Sequence, residues 1–266
     1  MGESTPRPRP ERQAPPPFRT VSVVGSERVS PRLQRVTVAG NELDGLAVTE
    51  PAASIRLLLP SAGRTDLVLP TWNGNEFLLP DGARPAIRTL TPSLRRADDP
   101  ELTLDVVIHG RGLLTEWAET VTLGADVAVS GPGRGYAIAT DAARYVLGGD
   151  ESALPALTQV LDAVPPATPV HVAVETVDRA AVTRLARRDG VTVDTAIVDA
   201  AATPGAALVE LIATAPMPPA TRVWVAGEAA AVQRIRRICF EEREVPRAHC
   251  TIRGYWKAGR DGVDGT

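Results

Sequence analysis

Lysine is almost missing from this chain: of its 29 basic residues, only Lys257 is not an arginine. A GC-rich genome, which disfavours lysine codons, accounts for most of that bias. The bias also makes Lys257 a candidate for a position where arginine does not substitute. Cysteine is nearly as scarce. Cys239 and Cys250 are the only two and form no close pair. That excludes a disulfide framework and a cysteine-built zinc site, and fits a reducing, cytoplasmic setting. No apolar run reaches the roughly 20 residues of a membrane span. The Pro- and Arg-rich opening, MGESTPRPRPERQAPPP, lacks the apolar segment of a secretory signal. Residues 1–17 read as a disordered tail and residues 260–266 as a flexible end. A formal charge of −3 excludes bulk nucleic-acid binding. Internal repeats are absent.

What is present is core material. The 266 residues are 44% hydrophobic, enough for one large domain or two ordinary ones. The first half reads as β: FRTVSVVGSERVS, LQRVTVAG, SIRLLLP, LTLDVVIHG and DVAVSG are short β-branched runs parted by Gly, Pro and Asp clusters. One helix, about LLTEWAETV (113–121), interrupts them. This spacing predicts a barrel or sandwich. Near Asp141 the rhythm changes to β-α alternation. ARYVLGGD, PVHVAVE, VTVDTAIV, RVWVAG and AHCTIRGYW read as strands. ESALPALTQVLDAV, DRAAVTRLARRD, PGAALVELIAT and EAAAVQRIRRICFEER read as the helices between and after them. Such alternation predicts a parallel sheet covered on both faces. The expected organisation is an antiparallel β-barrel over 18–139, then a Rossmann-like domain over 140–259; this order resembles the layout of ferredoxin-reductase-like flavoenzymes, which implies flavin on the barrel and NAD(P)H on the second domain.

Four stretches carry chemistry. In GRGLLTEWAE, Gly112, Leu113, Leu114 and Thr115 open a helix directly after a strand. Free N–H groups and the positive end of the helix dipole suit a pyrophosphate there, and glycine lets it approach the backbone. An ordinary helix start fits the residues equally well. In IRTLTPS, Arg88 and Thr91 supply an arginine fork and a hydroxyl; a surface strand with a stray arginine is the plain alternative. GGDESALPALTQVL holds Gly149, Asp150 and Glu151 at a strand-to-helix turn, and VWVAGE holds Gly227 and Glu228 at another. Both turns lie at carboxyl ends of parallel strands, where ligands of such sheets sit.

Taken in order, His109 with Gly110, GPGRG, GGDESALPAL, VWVAGEAAAV and GYWKAG resemble the siderophore-interacting proteins, FAD-dependent ferric-siderophore reductases built like ferredoxin reductases. The resemblance runs from about Phe18 to Gly259. The family's flavin motif is R-x-Y-T-x-R. Here Arg88 and Thr91 match it, while Leu90 stands at the Tyr and Ser93 at the last Arg, with Arg95 and Arg96 just beyond as substitutes for the lost charge. The resemblance therefore implies a mostly intact diphosphate side (Arg88, His109, Gly112 to Thr115) and an altered ring side. Losing a stacking partner weakens flavin affinity by about 1–3 kcal/mol.

The implied chemistry is hydride transfer from NADH or NADPH to FAD, then single electrons to a ferric siderophore, which holds Fe(III) far better than Fe(II). Some family members take electrons from ferredoxin. Lys257 matches a family basic position, and Arg253, sharing a strand face with Tyr255, is the second candidate for an anionic chelate, with a solvated strand residue as its alternative. Trp256 stands open between core packing and a cofactor contact. Glu175 or Asp178 would favour NADH through a ribose hydroxyl, and Arg179 would favour NADPH through a 2′-phosphate. The expected protein is a monomer. Two other readings stay open: a repurposed homologue acting on an organic metabolite with FAD as an altered or structural cofactor, and a flavin-free binding protein.

Overall fold

The computed structural model describes residues 14–109, 112–185 and 188–259. The amino-terminal half contains β1 (Arg19–Ser30), β2 (Leu33–Ala39), β3 (Ile55–Leu59), β4 (Thr71–Trp72), β5 (Phe77–Leu78), β6 (Ala86–Leu90), β7 (Glu101–Val107), α1 (Leu113–Thr120) and β8 (Asp126–Ser130). Six of these strands form one antiparallel sheet in the order β6-β3-β8-β1-β2-β7. Period-two alternation decides its inner face: Leu102, Leu104 and Val106 of β7 are fully buried while Thr103, Asp105 and Val107 look outward. The two edge strands, β6 and β7, meet through a single bridge just beyond β6, Pro92 with Leu104. That contact curls the sheet into a barrel and leaves a seam along the rest of the two edges.

The carboxyl-terminal half contains β9 (Arg144–Gly149), α2 (Leu154–Ala163), β10 (Val170–Thr176), β11 (Val191–Ile197), α3 (Ala206–Thr214), β12 (Thr221–Glu228), α4 (Ala229–Arg237) and β13 (Cys250–Trp256). Its five strands are parallel in the order β11-β10-β9-β12-β13. Tyr145, Leu147 and Trp224 pack with Leu157 and Leu161 of α2 on one face. Val146, Val223 and Val225 pack with Ile212 of α3 and Ile235 of α4 on the other. The reason α4 forms is local: Glu228 caps it, an Ala-rich first turn follows, and Arg234, Arg236 and Arg237 meet the negative end of its dipole. The lobes are tied together by Gln159 of α2, which donates to the Pro92 carbonyl (2.7 Å) and accepts from the Ala52 N–H (3.0 Å). Arg32 adds an ion pair to Glu151 at 2.8 Å.

Two elements differ from the sequence reading. DRAAVTRLARRD was expected as a helix, but only a 3-10 turn forms, Arg179–Arg184. Consecutive β-branched Val182 and Thr183 disfavour an α-helix, the Thr183 hydroxyl bonds back to the Ala180 carbonyl (2.8 Å), and buried Leu185 leaves the turn in extended conformation. The β4–β5 hairpin was not expected. Its turn is set by Asn73, whose side-chain oxygen accepts the N–H groups of Asn75 and Glu76, each at 2.9 Å. Residues 1–13 of the tail read as disordered, Gly110 of the HG pair, and 260–266 lie outside the described residues. Of the tail, residues 14–17 are described, and the Pro16 carbonyl accepts from the Ser130 hydroxyl at 2.5 Å.

Candidate functional site

The seam between β6 and β7 is the first part of the site. Continuing the antiparallel register of the Pro92–Leu104 bridge would set Arg88 opposite Ile108, but the strands part there. Arg88 and Leu90 share a face of β6 with Ala86, opposite Leu57, Ile55 and Leu59 of β3. Leu90 packs onto the barrel core that Leu113, Leu114 and Trp117 of α1 also cover. Arg88 is half-buried. Its side chain bonds only the neighbouring Ile87 carbonyl (2.9 Å), and burial alone lowers its pKa. Among the described residues no carboxylate pairs with it. Nearby arginines are different: Arg32 pairs with Glu151 and Arg35 with Asp105.

Across the seam, β7 runs to His109 and then to α1. Gly112 precedes the helix with φ +150° and ψ +151°, backbone that only glycine adopts without strain. A Cβ there would meet nothing within 4 Å, so the turn opens onto free space. Among the described residues no side chain caps α1. Thr115 is turned inward, its hydroxyl donating to the His109 carbonyl at 3.4 Å. A half-buried cation without an acid and a helix start without a cap together suit a bound diphosphate. The residues therefore fit an FAD, whose phosphates Arg88 and the Gly112 to Thr115 backbone would hold. Thr91 lies past the seam, buried, and faces Tyr255 of the other lobe, whose pKa burial raises and Thr91 lowers.

The parallel lobe meets this seam with the carboxyl ends of its strands. Trp256 donates its indole N–H to Asp150 (2.7 Å) and lies 5.7 Å, ring to ring, from His109. Trp256 is thus fixed by a carboxylate as well as packed. Asp150 also accepts from the Ser152 N–H and hydroxyl and from the Glu228 N–H. Gly227 must be glycine, because a Cβ would stand 2.7 Å from an Asp150 oxygen. Gly149 likewise has no room, with Ala153 Cβ 2.5 Å from where its own Cβ would be. Glu151 takes Arg32 on one oxygen and the Thr176 hydroxyl with the Val177 and Asp178 N–H groups on the other.

Two cavities flank the lobe boundary. One, about 440 Å³, lies against α2 and includes Thr91, Ser93, Thr103 and Glu151. The other, about 580 Å³, is basic: Arg134, Arg222, His249 and Arg253 line it with Tyr136 and Glu50. Arg253 shares the α2 side of the sheet with Tyr255, since Ile252 packs into the opposite core. Lys257 is elsewhere, exposed past the end of β13 beside the loop where Ala258 N–H donates to Glu228. Sequence reasoning missed Arg134, Arg222 and His249, which only the linker and the start of β12 and β13 bring together. In this recess the Nδ1 of His249 and the Nε of Arg222 are buried without partners, while Arg222 also pairs with exposed Asp141 at 3.1 Å.

Other expectations are corrected by the contacts. Arg95 does not replace the missing motif arginine: it is 3% exposed and its guanidinium is spent on the carbonyls of Leu46, Arg96, Asp99 and Glu101. Arg96 is exposed and pairs with Asp98. Glu175 does not reach a ribose; it is buried and caps α3 through the N–H groups of Gly205 and Leu208. Asp178 caps its own turn through Ala180.

Barrel, seam and parallel lobe have the fold of the ferredoxin-reductase-like flavoproteins. The chain belongs to the siderophore-interacting protein family. It matches the siderophore-interacting FAD-binding domain over residues 22–136 and the siderophore-interacting protein domain over residues 142–259. It is 30% identical to the NADPH-dependent ferric-chelate reductase of Escherichia coli over 251 residues, 91% of this chain and 93% of that protein. It is 27% identical to the ferric vibriobactin reductase of Vibrio cholerae over 250 residues, 91% and 90% of the two chains. A siderophore utilization protein from T. fusca has the same fold, with a TM-score of 0.82 and 29% identity over 95% of this chain and 97% of that one. No helix among the described residues is long and apolar enough to cross a membrane.

Proposed function

We propose that this protein uses seam-bound FAD to reduce the Fe(III) of a siderophore, drawing electrons from NADH or NADPH and releasing Fe(II). The observation that carries the reading is Arg88, a half-buried cation with no acid of its own, across an open seam from the uncapped start of α1. Bound there, FAD converts one two-electron hydride donor into two one-electron transfers, one to each of two ferric chelates. The protein's tasks are then positional. Arg88 and the Gly112 to Thr115 backbone neutralise the diphosphate. Thr91, facing Tyr255, presents a hydroxyl at the lobe boundary. His109 and Trp256 close the boundary with aromatic surface. Arg253, with the basic recess around it, and Lys257 draw an anionic chelate. One dihydronicotinamide and two Fe(III) give one oxidised nicotinamide, two Fe(II) and one proton; that proton passes to solvent, and the electron transfers to iron themselves need no proton-transfer residue of this chain.

Leu90 favours a second reading, a relative acting on an organic metabolite, because an aliphatic side chain at the ring position gives up aromatic stacking. One experiment separates them. The purified protein, loaded with FAD, is reduced anaerobically by NADH or NADPH, and then a ferric siderophore is added with a ferrous-specific chromogenic chelator. Reoxidation with two Fe(II) formed per flavin supports the reductase. A flavin that nicotinamides reduce but ferric chelates leave reduced would overturn it in favour of the second reading.

A further inference from the structure

In dinucleotide-binding sheets the pyrophosphate rests on free N–H groups where a helix or turn follows a strand. In the parallel lobe of this chain, the turns after β9, β10, β11 and β12 are filled by the protein's own carboxylates. After β9, Asp150 accepts the Ser152 N–H at 2.9 Å, and its other oxygen takes the Glu228 N–H at 3.0 Å. Pro155 in the first turn of α2 removes one more donor. After β10, Glu151 accepts the N–H groups of Val177 and Asp178 at 2.9 and 3.1 Å, and Asp178 accepts Ala180. After β11, Asp199 accepts Ala201, and Glu175 takes Gly205 and Leu208 at the start of α3, at 2.6 and 2.9 Å. After β12, Glu228 accepts Ala230 and Ala231 at 2.6 and 2.9 Å. Asp150, Glu151, Glu175 and Glu228 are between 4 and 8% exposed, and no other acid among the described residues is buried. The start of α1, by contrast, has no side-chain cap among the described residues.

A phosphate at any of these turns would have to expel a buried carboxylate from its donors and face the like charge. Arg179 and Lys257 are exposed cations near this rim, and contacts from such groups are weak and screened by salt. We propose that the lobe engages its electron donor by the nicotinamide end alone, leaving pyrophosphate, adenosine and any 2′-phosphate in solvent. The donor class is then dihydronicotinamides as such, with no discrimination between NADH and NADPH. The proposal rests on the nicotinamide-driven reading above, and its test separates the two.

The FAD-loaded protein is mixed in a stopped-flow instrument, without oxygen, with NADH, NADPH, reduced nicotinamide mononucleotide or N-benzyl-dihydronicotinamide, and flavin bleaching is followed. All four are expected to act within about threefold of one another, with rates linear in concentration up to about 1 mM, as for a complex of millimolar or weaker Kd. In parallel, calorimetric titration with ADP-ribose and with 2′,5′-ADP is expected to show no binding tighter than about 1 mM. Saturation by NADPH at micromolar concentration, a preference of roughly tenfold or more over reduced nicotinamide mononucleotide, or micromolar ADP-ribose binding would overturn the proposal. If no donor bleaches the flavin, the nicotinamide-driven reading falls, and the calorimetry still decides whether the turns admit a diphosphate.

Discussion

Replacing Asp150 by asparagine tests whether the latched turns are held by charge or only by shape. The carboxylate has four donors: the Ser152 N–H (2.9 Å) and hydroxyl (2.5 Å) on one oxygen, the Glu228 N–H (3.0 Å) and the Trp256 indole (2.7 Å) on the other. Burial pushes its pKa up and those donors pull it down, burial winning. Asparagine keeps the shape but has one accepting oxygen. With its NH2 toward Ser152, the Ser152 hydroxyl can turn and accept, and only the Ser152 N–H is stranded. With its NH2 the other way, both the Glu228 N–H and the Trp256 indole are stranded, so the first orientation wins. One buried donor loses its partner and the remaining bonds fall from charge-assisted to neutral, a loss of about 1–3 kcal/mol. For a chain of this size that lowers Tm by roughly 3–10 °C. Asp150→Ala strands three N–H groups and is expected to cost more. Thermal unfolding followed by tryptophan fluorescence at pH 7, with and without FAD, measures both. An asparagine variant within about 1 °C of the parent, beside a costly alanine variant, would refute the reasoning and leave Asp150 as a space-filling group.

Gly112→Ala forces a side chain onto backbone reserved for glycine at a cost of about 1–3 kcal/mol. Because the added Cβ has open space, the strain is expected to turn the N–H groups of the α1 start and weaken FAD binding about tenfold, read by flavin fluorescence titration; an unchanged Kd would remove that turn from the site. Leu90→Tyr is expected to tighten FAD by up to about tenfold, or about 1–2 kcal/mol, in the same titration; weaker binding would mean that the ring cannot leave the barrel core that Leu90 now joins. His171 is buried on β10, where burial outweighs the attraction of Asp194 and lowers its pKa. Its contribution to stability is therefore full above its free value of about 6.5 and is lost as pH falls through the lower folded value. His171→Gln is expected to flatten the fall in Tm between about pH 7 and pH 5, and a parallel slope in the variant would assign that fall to other groups.

Much of this was legible in the chain because local periodicity and caps decide it. The alternation in LTLDVVIHG fixes which residues of β7 turn inward, and VWVAGEAAAV announces a strand, an acidic cap and an Ala-rich helix start. Arg88 and Leu90, two apart on a strand, had to share a face. The sequence could not say which carboxylates were already spent. Glu175 and Asp178 read alike in VETVDRAA, yet Glu175 reaches 30 residues along the chain to Gly205. Arg95 looked like a surplus charge near the flavin motif, but the turn after it wraps the carbonyls of Arg96, Asp99 and Glu101 around its guanidinium, and the barrel adds that of Leu46. The basic recess was invisible for the same reason: Arg134, Arg222 and His249 come from three segments that meet where the linker crosses the sheet. Local rules failed outright at DRAAVTRLARRD, where a buried leucine and two β-branched residues override a helical pattern.

The contrast between the two lobes has a functional logic that follows from turnover. A flavin must stay through many cycles, so its diphosphate needs donors no competing group occupies. On the proposed reading the barrel supplies them, and among the described residues Arg88 is free of acids while Arg32 and Arg35 are paired. A hydride donor must leave after each cycle, and a surface whose anion-receptive turns are closed by Asp150, Glu151, Glu175 and Glu228 cannot hold its product tightly. Those carboxylates also do structural work that phosphate would otherwise disturb: Glu151 joins a barrel turn to the end of β10, and Asp150 ties β12 to Trp256. Opening a turn to gain nucleotide affinity would thus loosen the boundary on which Thr91 and Tyr255 meet. On this view weak donor binding and a rigid lobe boundary are one property, and a variant that gained nucleotide affinity at these turns while keeping the parent Tm would break the link.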